Sequence, residues 1–122
     1  MIEVNDKRKI AILKEEFNQL FPYLKLEFFS KPHKTGEGSA KTFMQTDAKT
    51  LGECRALHKG GSIIITPQMS VAELEQNFND VFGLSVQVFR KSGKIWLETT
   101  VTDSWTLEKQ NIEGEALSQV SA

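Results

Sequence analysis

The sequence predicts an α+β domain, a two-layer sandwich with two main helices on one face of a mixed, mostly antiparallel sheet of four to five strands. Three observations lead there. Ser70–Gly83 carries the start, stripe and stop of an amphipathic helix. Leu84–Thr100 (LSVQVFRKSGKIWLETT) reads as two strands about a tight turn. Tyr23–Ser30 (YLKLEFFS) alternates apolar and polar side chains with the period of a half-buried strand. The full order is helix, strand, strand, uncertain element, strand, helix, strand, strand, which favours helices layered on a sheet. The expected boundaries are one domain over residues 1–103, then a short helix and a polar tail over 104–122.

The first helix is expected to begin after Asn5 or Asp6, since either side chain can accept from free amides of a first turn. Ile10, Leu13, Phe17 and Leu20 or Phe21 then recur at helical spacing, and Pro22 ends the run by forcing its predecessor out of the helical region. A short strand is expected at Lys41–Thr46. Asp47–Lys59 fits a helix with Leu51, Cys54 and Leu57 on one face, but Gly52 weakens it and a strand fits as well. Ser62–Thr66 (SIIIT) suits a buried strand. In the next helix, Ser70 and Glu73 make a capping box, Met69 and Leu74 a hydrophobic staple, and Gly83 the left-handed stop. Val71, Leu74, Phe78 and Val81 or Phe82 form its buried stripe.

The hairpin has the most functional content. A two-residue turn at Ser92-Gly93 sets Phe89 opposite Trp96 and Lys91 opposite Lys94. Leu84, Val86, Val88, Ile95, Leu97 and Val101 then face the core. Ser85, Gln87, Glu98, Thr100, Lys91, Lys94 and the Phe89–Trp96 pair face away from it. A three-residue loop would mix polar and apolar residues on both faces, so the shorter turn is preferred. Two large rings on a polar face are a cross-strand pair that stabilises the hairpin, or a pair covered by Trp105 and Leu107 from a tail that folds back, or a partner-binding patch. Phe89, Trp96, Lys91 and Lys94 are therefore the candidate binding residues, with Trp105 as a possible cover.

Catalytic and cofactor chemistry has little to stand on. His33–Thr42 (HKTGEGSAKT) resembles a phosphate loop only superficially. Alignment of Lys41-Thr42 with the end of GxxxxGK[ST] puts Thr35 and Ala40 where glycines are needed, so a solvated hairpin loop is the better reading. Cys54 and His58 are spaced to share a helical face, but a structural zinc needs four ligands and the only other histidine is His33. Cys54 reads as a small core side chain. GxSxG, HExxH, CxxC and GxGxxG are all missing. No catalytic residue, cofactor or metal is assigned.

Composition narrows the setting. The chain has 122 residues, one cysteine and a net charge of −1, and no apolar run has the length of a membrane span or signal peptide. A soluble cytoplasmic protein is expected. Residues 1–60 hold 11 basic against 8 acidic side chains, and residues 61–122 hold 4 against 8. This polarity can orient a partner but is far from a nucleic-acid footprint.

The stretch LSVQVFRKSGKIWLETT, followed by TDSWTLEKQN, resembles small bacterial α+β single-domain proteins of unassigned role, over residues 60–112. The resemblance implies a compact domain and transfers no site. The expected function is non-covalent: a protein-interaction or adaptor domain working through a sheet face or edge, with a homodimer as its simplest form. The alternative is a single-stranded nucleic-acid module in which Phe89 and Trp96 stack on bases while Lys91, Lys94, Arg90, Lys34 and Lys41 meet phosphates.

Overall fold

A computed structural model describes residues 1–30 and 43–119. Among them are β1 (Ile2–Val4), α1 (Ile10–Leu20), β2 (Leu24–Phe29), β3 (Gly61–Ile63), α2 (Val71–Phe82), β4 (Ser85–Ser92), β5 (Ile95–Glu98) and α3 (Leu107–Gln119). The α+β class is as expected, but the strands do not join into one sheet of four or five. They form two antiparallel sheets, a three-stranded one in the order β2-β4-β5 and a two-stranded ribbon of β1 and β3. The phosphate-loop candidate at His33–Thr42 and the start of the strand expected at Lys41 lie outside the described residues.

The capped helix forms where its local signals place it. Ser70 accepts from the Glu73 amide at 3.1 Å. Val71, Leu74, Phe78 and Phe82 are buried, whereas Val81 is exposed. At the far end Gly83 takes a φ of 65°, so the Gly83 amide returns to the Asn79 carbonyl and the Leu84 amide to that of Phe78. Phe78 meets Phe28 of β2 edge-on, with ring centroids 6.1 Å apart. Leu24, Leu26, Phe28, Val86 and Val88 share one face of the sheet in the β2–β4 register, and all five are buried in the core with Ile10, Leu13 and Phe17 of α1.

Several elements depart from the sequence reading. Residues Asn5 and Asp6 do not cap α1; its first residue follows Lys9, and no side chain caps it. Asn5 instead closes a turn through its side-chain oxygen, which accepts from the Lys7 amide. Asp47–Lys59 resolves into a short 3-10 turn at Leu51–Cys54, where Thr50 and Glu53 form the reciprocal capping box. In SIIIT only Ile63 is buried, and Ile64 is 67% exposed, because the β1–β3 ribbon turns one face, with Ile2, Val4 and Ile63, to the core. The C-terminal helix is not short: it runs from Leu107 to Gln119, through most of the expected polar tail, and packs on β4. Gly114 allows this approach: a Cβ there would come within 2.9 Å of the Tyr23 Cβ and 3.1 Å of the Tyr23 carbonyl oxygen.

Candidate interaction surface

The hairpin exists, but its register differs from the expected one. Ser92 pairs with Ile95, Lys91 with Trp96, Arg90 with Leu97 and Phe89 with Glu98. The central turn residues are therefore Gly93 and Lys94, with Gly93 at a φ of 63° and Lys94 at negative φ. A turn of type II′ needs its positive φ at the first central position, and glycine supplies it most readily there. Placing Ser92 first would have forced a serine into that conformation. The pairing moves by two residues, so every side chain keeps its face while its partner changes. Phe89 and Trp96 lie on one face as diagonal neighbours, not opposite each other, and Lys91 faces Trp96 instead of Lys94.

Lys25 of β2 completes this group. It is the direct neighbour of Phe89 in the β2–β4 ladder. Its ammonium sits 5.4 Å from the Phe89 ring centroid and 5.1 Å from that of Trp96. Cation–π attraction thus holds both half-buried rings from one side. Sequence spacing gave no hint of Lys25, because its role depends on the register between strands far apart in the chain.

This outer face has two halves. At the Phe29–Gln87 end it is closed: Glu27 and Gln87 are both buried, and Lys14 of α1 pairs with both Glu27 and Asp47. Those two carboxylates raise the Lys14 pKa even though partial burial opposes it. At the other end Phe89, Trp96, Lys91 and Glu98 stay at least partly open.

Trp105 does not cover the rings. The Arg90 guanidinium lies 5.7 Å from its centroid and the Lys109 ammonium 4.2 Å. Arg90 is one residue from Phe89, so its side chain leaves the opposite face of the strand, where it donates to Gln110 of α3 at 2.8 Å. Leu107 is buried in the core. The expected cover by the tail is thus corrected: α3 packs on the reverse side of the hairpin.

The expected core face is also corrected at β5. Leu84, Val86 and Val88 are buried, but Ile95 is 58% exposed, Leu97 38% and Val101 92%. Among the described elements, only β4 packs closely on β5. The ladder ends because side chains take the place of the strand. Glu75 of α2 accepts from the Val88 amide at 2.9 Å, and the Thr99 hydroxyl donates to the Val88 carbonyl at 2.8 Å. Among the described residues, the outer edge of β5 carries no strand partner, and none of its four residues takes part in a loop hydrogen bond.

The Cys54–His58 idea does not survive the geometry. The 3-10 turn ends at Cys54. His58 Nδ1 instead contacts Asp6 Oδ2 at 2.8 Å, while Arg55 Nε and Nη2 donate to Asp6 Oδ1 at 3.0 and 2.8 Å. The Arg55 hydrogen bond, more than any other influence, holds the Asp6 carboxyl below its ordinary pKa of 3.8. Arg55 Nη1 also donates to the Phe82 carbonyl at 2.8 Å, tying the segment after β1 to the end of α2. Nothing local in the sequence joins Asp6 to Arg55, 49 positions away. Burial pushes the Cys54 thiol up in pKa, which makes it a poor nucleophile. Among the described residues, no group of three His, Cys, Asp or Glu side chains could hold a metal ion, and no helix is long and apolar enough to cross a membrane. The chain matches no protein-family model, no curated protein and no solved structure.

Proposed function

We propose that this protein works by non-covalent association with protein, through the free edge of β5 and the adjoining outer face that carries Phe89, Trp96 and Lys91. The observation that carries the reading is the β5 edge itself. Among the described residues it offers unpaired backbone groups beside exposed Ile95 and Leu97, the combination that accepts an added strand. Main-chain hydrogen bonds would supply affinity. The half-buried rings and their flanking lysines would supply selectivity on the outer side.

The test is affinity capture from the native cell with wild type and Trp96→Ala side by side. Trp96→Ala should keep the wild-type far-ultraviolet circular dichroism and a melting point within a few degrees, yet lose the partner. Equal capture by both proteins would end the reading, and an unfolded variant would reassign Trp96 to the core.

Single-stranded nucleic acid is the second reading, favoured by two aromatic rings beside lysines on a sheet face. Two features weaken it. Lys25 occupies one side of each ring that a base would need. Arg90, one of its phosphate contacts, points to the other face and is engaged with Gln110. Lys34 and Lys41 lie outside the described residues. A salt-sensitive gel shift with single-stranded DNA or RNA would replace the first reading with this one.

A further inference from the structure

The direction of the backbone groups along β5 narrows the partner. The Lys91 amide donates to the Tyr23 carbonyl, on the β2 side of β4. Lys91 and Trp96 are therefore a non-hydrogen-bonded pair, and the N–H and C=O of Trp96 point out of the sheet at the free edge. Those of Glu98, two residues on, point the same way. Trp96 and Glu98 are thus the positions through which another strand would bond.

A second copy of the chain must add its own β5 antiparallel about a twofold axis perpendicular to the sheet, since a twofold contact uses the same patch on both copies. Side chains alternate between faces, so each residue can only stand opposite one on its own face. Four registers meet these conditions. One centred on Glu98 sets that carboxylate against its own copy, a like-charge contact. One centred on Ile95 runs Glu98 past the end of the partner hairpin. One centred on Leu97 puts Glu98 opposite Trp96 and leaves Lys94 without a carboxylate.

The register centred on Trp96 differs from these. It places Lys94 opposite Glu98 of the second copy at both ends and Ile95 opposite Leu97 on the inner face. It also brings Trp96 opposite the second copy's Trp96. Lys94 and Glu98 are both exposed, and neither has an ion-pair partner among the described residues.

We propose that the partner is a second copy of this chain, joined β5 to β5 in the Trp96-centred register, giving one continuous six-stranded antiparallel sheet. The proposal rests on the edge reading above and adds to it an occupant and a register. Opposite charges at the two ends attract, and the two Ile95–Leu97 pairs between them cover the exposed side chains of β5.

The experiment is sedimentation equilibrium of wild type, Lys94→Glu, Glu98→Lys and the double variant, with Trp96 amide exchange followed by NMR at low and high protein concentration. Wild type should dimerise, and its Trp96 amide should slow as concentration rises. Each single reversal makes two like-charge contacts per dimer and should weaken association by about tenfold. The double variant restores both contacts and should return to wild-type association, which also excludes misfolding as the reason for the single-variant losses. A dimer with a slowed Trp96 amide that is indifferent to the charge reversals overturns the register but keeps the edge. A dimer whose Trp96 amide still exchanges freely overturns both. A wild type that stays monomeric at millimolar concentration overturns the second copy, and the edge reading then rests on the capture experiment with Trp96→Ala.

Discussion

The two edges of the three-stranded sheet are managed in opposite ways. Along β2, the Ser30 amide donates to Phe43 and the Gln45 amide to Phe28, and Met44 bridges Phe29, so the chain itself blocks further pairing. Lys14 reaches across to the buried Glu27 and reinforces that side. Along β5 no described segment plays that part, and Ile95 and Leu97 stand exposed beside the open ladder. An uncovered edge is an aggregation hazard that folded proteins usually suppress. The contrast teaches that this sheet is closed at one side by design of the chain and left available at the other.

The largest effect that would break the contrast lies beneath β2. Phe28→Ala removes the ring packed on Phe78 and should cost about 3–5 kcal/mol, read as a lowered urea midpoint. If the loss were under 1 kcal/mol, the claim that the core sits under β2 and β4 would fail. Gly114→Ala comes next. Its Cβ would press on Tyr23, so about 1–3 kcal/mol should be lost in spite of alanine's better helix propensity. A gain in stability there would mean that α3 does not dock on the sheet as described.

Smaller still, Gly93→Ala forces a side chain into positive φ and should cost about 1 kcal/mol, together with altered amide shifts confined to the hairpin. Ile95→Ser sharpens the contrast from the open side. The isolated chain should lose no more than about 0.5 kcal/mol, because the residue is already mostly in water, whereas association should weaken.

Acid should act on the tie between Asp6 and Arg55. The folded-state pKa of Asp6 is depressed, chiefly by Arg55, so its contribution is complete above the ordinary carboxylate pKa and is lost as pH falls through the lower folded value. Asp6→Asn should therefore be less stable than wild type at pH 7. Chemical denaturation should show that gap narrowing below about pH 4. A gap independent of pH would remove the electrostatic account of the Asp6–Arg55 tie.

Legibility followed the range of the interactions. Helix α2 was readable because Ser70, the Val71–Phe82 stripe and Gly83 lie within one stretch and each acts on its neighbours. Helix α3 was readable only at its beginning. Its buried residues are Leu107, Gln110 and Gly114, a set with a single large apolar side chain, so hydrophobic periodicity is nearly silent. Gln110 is buried because it answers Arg90 and Thr102 with hydrogen bonds, a reason no pattern of apolar residues can express. Strand β1 is three residues long and pairs with a segment near position 62, so it too left no local trace.

The amino-acid order alone determined the α+β class, the capped helix, the presence of a hairpin and the shared face of Phe89 and Trp96, since each follows from spacing along a few neighbouring residues. Tertiary structure decided the rest. It brought Lys25 to the rings, sent Trp105 to the other face and, among the described residues, left β5 uncovered. Those outcomes depend on which distant segments meet, and contact between distant segments is settled by packing of the whole chain rather than by local preference.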